Sequence, residues 1–496
     1  MINMNHRALA WLGAAFLSAC TLTPHYDRPR APVPNQWPAD SRGASESTAS
    51  IAGAVPIQLS ADQIGWREFF TDERLRHLIE IALGNNRNLR IAILNVAASQ
   101  AQFHIQRSDL FPSIAASGSG FIEKLPANGA IPLGGTSSNA QVPIGGTGET
   151  FRYYTAGIGF TSYELDLFGR QRSLSTEAFE QYLAQDDTRR SGQISLIGEV
   201  ANDYLAVLAD QALFVLTQET LHSETESYQL TKAMYDADTA TLLSLRQAES
   251  AVDTARANLA QYQRQLAQDR HALTLVLGQE IPEDLPPQGA IIDGQLLSNL
   301  QVLLPSGVLT HRPDIMSAEH ALRAANADIG AARAAFFPRI ELTAFDGTAS
   351  SSLSSLFSKG TGTWSFAPNI SLPIFAGGRN RANLELAHVE KNVAVARYEL
   401  AIQTAFREVS DALSARGTYD DEVAAQEALV TADTEAYDLA QLRFRQGLDS
   451  YLTTLDAQRS LYAAQQGLVS LRQAALANQV GLYKALGGGL VEYSQM

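Results

Sequence analysis

An internal duplication constrains this chain more than any other feature, because it covers most of the 496 residues. Three pairs of matching segments fall at 110–114 and 336–340, at 165–172 and 372–381, and at 242–249 and 451–458. The first pair shares Phe-Pro, and the second shares an apolar run that leads into Gly-Arg-x-Arg. Repeats of this length indicate a symmetric architecture, since each copy is one structural unit that its neighbours complete.

Each copy follows the order helix, strand, strand, helix. We predict strands at about 113–123, 153–167, 339–347 and 363–375, where apolar and polar residues alternate. Strands of about ten residues with one apolar face suit a tilted strand that crosses a bilayer. A soluble sandwich shows the same alternation, but here very long helices separate the strands and the chain is expected to be exported. Pro368 and Pro373 make the fourth strand the least regular.

Four strands are too few to close a barrel, and an open sheet edge does not occur in lipid. The chain is therefore expected to oligomerise around its strands. Two copies would give a barrel of eight strands, whose inward side chains fill its interior, whereas three copies would give twelve strands and leave a lumen. The polar face, which is rich in Ser, Thr and Gly, suits a wet interior.

The helices that follow each strand pair are expected to be very long. They run from Gly169 to about Ala233 and from Gly378 to about Arg445 without a proline, and each could extend on the order of 100 Å. The second carries two heptad stripes, which start at Leu386 and Val395 and lie on roughly opposite sides. Two opposed seams indicate a neighbour on each side, as in the wall of a cylinder of helices.

The N-terminus resembles a bacterial lipoprotein signal. Residues 1–19 combine a short basic start with an apolar stretch and end in Leu-Ser-Ala, directly before Cys20, the one cysteine of the chain. Cleavage before Cys20 would leave a diacylated residue, and by the same resemblance Thr21 directs it to the outer membrane. The alternative is an ordinary secretory signal that is cleaved nearby, with Cys20 incidental.

Charge and motifs count against two other classes of function. The net charge of -15 disfavours a nucleic-acid partner, because phosphate binding needs clustered Lys and Arg, and here they are dispersed. The Gly-rich segment 145–148 lacks the Lys and the helix of a phosphate-binding loop, and 311–314 resembles a catalytic loop only superficially. The histidines show no metal-ligand spacing. We expect no enzyme, no metal and no cofactor apart from the covalent lipid on Cys20.

The predicted fold class is α+β and mostly helical, with a duplicated helix-strand-strand-helix plan. Its segments are a signal peptide at 1–19, an acylated tether at 20–70, a first repeat at 71–278, a connecting equatorial segment at 279–308, a second repeat at 309–487 and a C-terminal tail at 488–496. Prolines concentrate in the tether and in the connecting segment, where they prevent long helices.

These motifs together resemble the TolC-like outer membrane factors, specifically the branch of efflux lipoproteins typified by OprM. The resemblance covers nearly the whole chain. It rests on the Leu-Ser-Ala-Cys motif at Cys20, the paired Phe-Pro strand starts, the helix starts at Gly169 and Gly378, and the segments 455–459 and 482–489. Such proteins are homotrimers, in which a twelve-stranded barrel in the outer membrane continues as a twelve-helix tube in the periplasm. With a periplasmic adaptor protein and an inner-membrane efflux pump, they export drugs, solvents or other small molecules.

The same resemblance predicts a gate at the periplasmic tip, formed by the turn at 444–451. The predicted constriction residues are Leu452, Asp456 and Arg459, with Arg443 and Arg445 as possible salt-bridge partners. A ring of three carboxylates favours cations at a constriction. Because Gln247 stands in the place of Asp456 in the first copy, a single ring is expected. The alternative is an ordinary exposed pair of Asp456 and Arg459, worth a few tenths of a kcal/mol.

Four arginines open the long helices where strand becomes helix, namely Arg170, Arg172, Arg379 and Arg381. They are candidates to lie near outer-membrane lipid headgroups or to pair across chains, and an exposed first-turn charge is an equally good interpretation. The alternative to a channel is a surface lipoprotein whose long coiled coils act as a scaffold.

Overall fold

The computed structural model describes residues 21–34, 36–37, 63–124, 150–283, 285 and 311–494. The predicted signal peptide, Cys20 and most of the connecting segment 279–308 lie outside these residues. The chain divides into two compact units. One includes Ala98–Tyr182 and Ala321–Ala394, and the other includes Pro29–Ala97, Leu183–His320 and Val395–Met496.

Both copies contain the predicted order of elements. After a short helix α1 (Trp66–Phe69), the first copy comprises α2 (Glu73–Asn85), α3 (Arg87–Ser108), β1 (Ala115–Lys124), β2 (Thr150–Glu164), α4 (Arg170–Asp236) and α5 (Leu242–Leu277). The second comprises α6 (Pro313–Ala334), β3 (Arg339–Ser350), β4 (Gly362–Ser371), α7 (Arg379–Arg445) and α8 (Tyr451–Ala485). Helices α4 and α7 both have 67 residues, and α5 and α8 have 36 and 35. The mostly helical, duplicated plan is confirmed.

The duplication extends to individual hydrogen bonds. Asn86 donates from Nδ2 to the carbonyl of Val276 at 2.7 Å, and Arg312 donates from Nη1 to the carbonyl of Ala485 at 2.8 Å. Asn86 and Arg312 directly precede the equivalent helices α3 and α6, and both carbonyls lie near the ends of the equivalent helices α5 and α8. A contact seen in one copy is therefore a guide to the matching contact of the other.

The four strands form one antiparallel sheet in the order β1-β2-β3-β4. On its polar face, Ser119 lies opposite Thr155, and their hydroxyl oxygens are 2.7 Å apart. On its apolar face, Ile340 lies opposite Ile370. Within the described part of the chain, the outer edges of β1 and β4 pair with no other strand. Both edges are therefore available to other chains.

A β-bulge in β2 changes the face on which its last residues lie. The register shifts just before Tyr163, where Ser162 has a φ of 56°. Tyr163 then pairs with Leu342, and Glu164 pairs with Glu341. Without the extra residue, the period of two would place Glu164 on the apolar face. The bulge thus moves this carboxylate to the polar face.

Two strands end earlier than the sequence pattern predicts. Strand β4 ends at Ser371 rather than at about 375, because Pro373 has no N–H with which to continue a ladder. Strand β2 begins at Thr150 rather than 153 and ends at Glu164 rather than 167. The residues beyond each strand form the junction that leads into the following long helix.

The last residues of the segment predicted as a tether pack into the folded chain. Trp66, Phe69 and Phe70 are at most 2% exposed and belong to a hydrophobic core. Phe69 stacks on Tyr483 of α8 with ring centroids 3.9 Å apart, and the Tyr483 hydroxyl donates to the carbonyl of Ile64 at 2.7 Å. Burial of a large apolar side chain contributes about 1.5–3 kcal/mol, so these rings fix the segment to the folded unit.

Among the described helices, α4 contains an 18-residue window with a mean hydropathy of 1.2, long and apolar enough to cross a membrane. However, 56% of that window is buried within the chain. A core helix of a soluble protein has the same length and composition, so this window is weak support for a membrane helix.

Candidate functional site

The turn between α7 and α8 is held by an ion pair. Arg443 donates hydrogen bonds to both carboxylate oxygens of Asp449, at 2.5 and 3.0 Å, and these bonds lower the pKa of Asp449. Between them Gly447 reverses the chain with a φ of 73°, which favours glycine. Within the single chain Arg443 thus pairs with Asp449 rather than with Asp456, whereas Arg445 is exposed.

The three predicted constriction residues lie on one exposed side of α8. Leu452 is 45% exposed, and Asp456 and Arg459 are exposed as well. On the adjoining side of the helix, Tyr451 and Leu455 are buried, at 4% and 1% exposed. Spacings of four and three residues place the side chains of Leu452, Asp456 and Arg459 on one helix face. The single chain leaves this face uncovered, so a constriction needs further copies of the chain.

A buried polar cluster lies behind this face. Glu224 of α4 is 4% exposed, and Tyr451 and Gln458 of α8 are 4% and 6% exposed. Each has one buried polar atom without a hydrogen-bond partner among the described residues, namely Oε2, the hydroxyl oxygen and Oε1 respectively. Burial raises the pKa of Glu224 to about 7, against the effect of nearby Arg459. Sequence reasoning missed Glu224, because nothing local distinguishes it from the exposed Glu226.

At the first strand–helix junction, Glu164 binds two arginines. Arg170 donates to both of its carboxylate oxygens at 2.9 and 2.6 Å, and Nε of Arg339 lies 3.0 Å from Oε2. Arg172 donates from Nε to Asp166 at 3.1 Å. The Glu164 side chain is 13% exposed, so its charge is largely shielded from water. Arg170 and Arg172 therefore have carboxylate partners inside their own chain.

The second junction keeps the arginines but lacks the acids. In the repeat, Ser371 and Pro373 stand where the first copy has its two carboxylates. Arg379 and Arg381 are exposed, and neither has an ion-pair partner in the described part of the chain. The two junctions therefore differ in charge although their helices start alike.

A cavity of about 410 Å³ joins the two junctions within the unit that holds the sheet. Its lining includes Glu164, Arg170, Ala335, Phe337 and Arg379. The end of β2, the start of β3 and the start of α7 therefore meet at one cleft.

The first described residues of the chain lie beside the first junction. The Thr23 hydroxyl is 3.0 Å from that of Ser173, in the first turn of α4. Arg333 of α6 donates from Nη1 to the carbonyl of Leu22 at 3.2 Å. Cys20 lies outside the described residues, but the chain that follows it is fixed where strand becomes helix.

The family model described as "Outer membrane efflux protein" matches residues 78–279 and 304–488, so that one match falls on each copy. The probable efflux pump outer membrane protein TtgC of Pseudomonas putida is 47% identical over 479 residues, which cover 97% of this chain and 94% of that protein. The outer membrane protein OprJ of Pseudomonas aeruginosa is 42% identical over 483 residues, which cover 97% and 95%.

Solved structures show the same similarity. The open state of the Neisseria gonorrhoeae MtrE outer membrane channel matches with a TM-score of 0.83 at 37% identity, covering 96% of this chain and 100% of that chain. A membrane protein from Pseudomonas aeruginosa matches with a TM-score of 0.84 at 40% identity, covering 94% and 100%. Both similarities extend over the two copies.

Proposed function

The chain belongs to the outer membrane efflux protein family, as its motifs indicated, and we propose that it forms the outer-membrane duct of a tripartite efflux system. In such a system an inner-membrane pump and a periplasmic adaptor protein deliver drugs, solvents or other small molecules to a passive channel. The match of both copies to the family carries this proposal. Relatives named for antibiotic and toluene efflux support the substrate class.

We propose that three copies of the chain close this duct. Among the described residues, the sheet has four strands and its edges at β1 and β4 are unpaired, and lipid does not tolerate such edges. Three chains would supply twelve strands around a lumen. Two chains would supply only eight, and in a barrel of eight strands the inward side chains fill the interior. The apolar face of the sheet would then meet lipid, and the polar face would meet water.

We also propose that Cys20 carries a lipid anchor. Thr23 is fixed beside the first junction, and three residues span at most about 10 Å. Acyl chains on Cys20 would therefore reach the same bilayer that the strands cross.

Labelled palmitate should enter the wild-type chain and not the Cys20→Ser variant. A wild-type chain without label would instead favour an ordinary secretory signal.

The tip is proposed to close through Leu452 and Asp456. In a threefold assembly, the exposed side of α8 would present three leucines and three carboxylates to the axis. Arg459, one turn further along α8, and Arg445, at the end of α7, are both exposed and would offset the repulsion between the carboxylates. The exposure of Leu452 supports this assignment, because an apolar side chain is left uncovered in the single chain.

Loss of the chain should sensitise its host to several unrelated drugs or solvents, because a pump without a duct cannot export them. The test is a deletion in a strain that lacks its other outer-membrane efflux ducts, so that none substitutes. Growth inhibition and the accumulation of a fluorescent efflux substrate are measured, and a plasmid with the wild-type gene is the control. Unchanged sensitivity and accumulation in the deletion strain would contradict the proposed function.

A further inference from the structure

One aromatic stack and one backbone hydrogen bond join the two copies inside each chain. Phe168, which follows β2, stacks on Phe337, which precedes β3, with ring centroids 4.8 Å apart. Beside this stack, the N–H of Leu165 donates to the carbonyl of Ile340 at 2.8 Å. The end of the first strand pair is thus fastened to the start of the second.

The same residue types recur in the repeat, but there the rings are exposed. Phe375 stands at the position of Phe168, and Phe111 stands at the position of Phe337. In the single chain Phe375 is 89% exposed and Phe111 is 66% exposed. Neighbouring Ile374 is 95% exposed, so Phe375 belongs to an uncovered apolar segment.

One chain cannot bring these two rings together. Phe111 precedes β1 and Phe375 follows β4, which are the opposite edges of the sheet. Three strand spacings separate those edges, about 14 Å in total. A second copy removes this restriction, because its β1 can lie beside the free edge of β4.

We propose that Phe375 of one chain stacks on Phe111 of the partner subunit, as the equivalent pair does within each chain. The occupant of this surface is a second copy of the chain, and the proposal rests on the proposed oligomeric duct. The same equivalence lets the N–H of Leu372 donate to the carbonyl of the partner subunit's Ile114. Stacks within chains and stacks between chains would then alternate around the assembly.

Charge complementarity supports a second copy as the partner. Within one chain, the cleft at the junctions is lined by Arg170 and by Ala335, which follows α6. The repeat aligns Ala335 with Asp109, so at the boundary between chains Arg379 would face Asp109 of the partner subunit. Arg379 and Asp109 are both exposed in the single chain, where Asp109 accepts a hydrogen bond from Gln106 at 3.2 Å and also interacts electrostatically with Arg170. Ser371 cannot neutralise Arg379, and the next chain supplies the missing acid.

Cysteine pairs test the stack directly. A chain with Phe111→Cys and Phe375→Cys is treated with a short thiol-to-thiol reagent, and a chain with Phe168→Cys and Phe337→Cys is the matched control. We expect the first pair to give covalent trimers on a denaturing gel. The control pair should stay at the mass of the monomer, because its link is internal. Each single substitution should give no trimers.

The outcomes separate this inference from the proposed function. Trimers that conduct ions but show no link between positions 111 and 375 would overturn the stack and leave the duct intact. Phe375 would in that case face lipid. A wild-type chain that neither forms trimers nor conducts would overturn both.

A charge reversal provides a second test if the cysteine variants fail to assemble. Arg379→Glu and Asp109→Arg should each lower the temperature at which the trimer dissociates on a gel, because each leaves like charges at the chain boundary. The two substitutions combined should recover a large part of that temperature, and the rest stays lost because an arginine at position 109 repels Arg170 of its own chain. Failure of the combined variant to recover would contradict the contact between Arg379 and the partner's Asp109, since purely local damage would add rather than cancel.

Discussion

Replacing Leu452 and Asp456 together with alanine is expected to raise the single-channel conductance severalfold. In the proposed trimer, Leu452 narrows the tip and Asp456 supplies the carboxylates that nearby arginines bind. Removing both side chains widens the passage and removes the ring of carboxylates, while the Arg443–Asp449 ion pair still holds the turn. The measurement is the size of conductance steps in planar bilayers, for variant and wild type in the same salt.

The first copy provides the matched control for this experiment. Leu243 and Gln247 occupy the equivalent positions, and Leu243 is 67% exposed in the single chain. Leu243→Ala with Gln247→Ala should change the conductance much less, because Gln247 contributes no charge to a ring. Asp456→Ala alone should reduce the preference for cations. Equal step sizes for wild type and the Leu452 and Asp456 double variant would rule out this constriction.

Replacing Glu224 with glutamine is expected to remove a pH-dependent loss of stability. Burial raises the pKa of Glu224 from 4.5 to about 7, so between these values the folded chain keeps a proton that the unfolded chain has lost. Stability therefore falls as pH rises through this window, by roughly 3 kcal/mol from this group above pH 7. Below about pH 4.5 the carboxyl is protonated in both states, and the difference disappears.

Thermal unfolding of the detergent-solubilised protein at about pH 5 and about pH 8 measures this effect. The Glu224→Gln variant should unfold at a higher temperature than wild type at the higher pH, with a much smaller difference at the lower pH. Glu226→Gln is the matched control, because the Glu226 side chain is 70% exposed. If the unfolding temperatures of wild type and Glu224→Gln change with pH to the same extent, the Glu224 carboxylate does not cause the pH-dependent loss of stability.

The local sequence is enough to predict the helices and strands, but it does not predict contacts between residues that are distant in the chain. The long helix α7 ends at Arg445, where the pattern places its end, since the absence of proline and the turn at Gly447 are local signals. Residues 63–70 escape such reasoning, because they pack through Tyr483, whose hydroxyl binds a carbonyl 419 residues away in sequence. The bulge at Ser162 is equally unpredictable from the sequence, since one extra residue in a strand does not change the pattern of residue types noticeably.

The candidate site is likewise predictable in part: the sequence indicates which residues lie at the tip but not which of them pair. Resemblance to the family predicts the residues on the exposed side of α8, and the helix period explains why they share a face. It does not predict that Arg443 binds Asp449, because the choice among nearby carboxylates depends on the geometry of the turn. The burial of Glu224 also depends on a distant helix. The repeat, by contrast, shows directly that Ser371 leaves Arg379 without its acid.

The conductance of the purified wild-type chain in a planar bilayer tests the central claim most directly. A duct closed by three chains predicts discrete conductance steps from protein that runs as a heat-resistant trimer. A lipoprotein with only a scaffold role would bind the bilayer without steps. Inserted, folded protein that gives no steps would contradict the assignment of this chain as an outer-membrane channel.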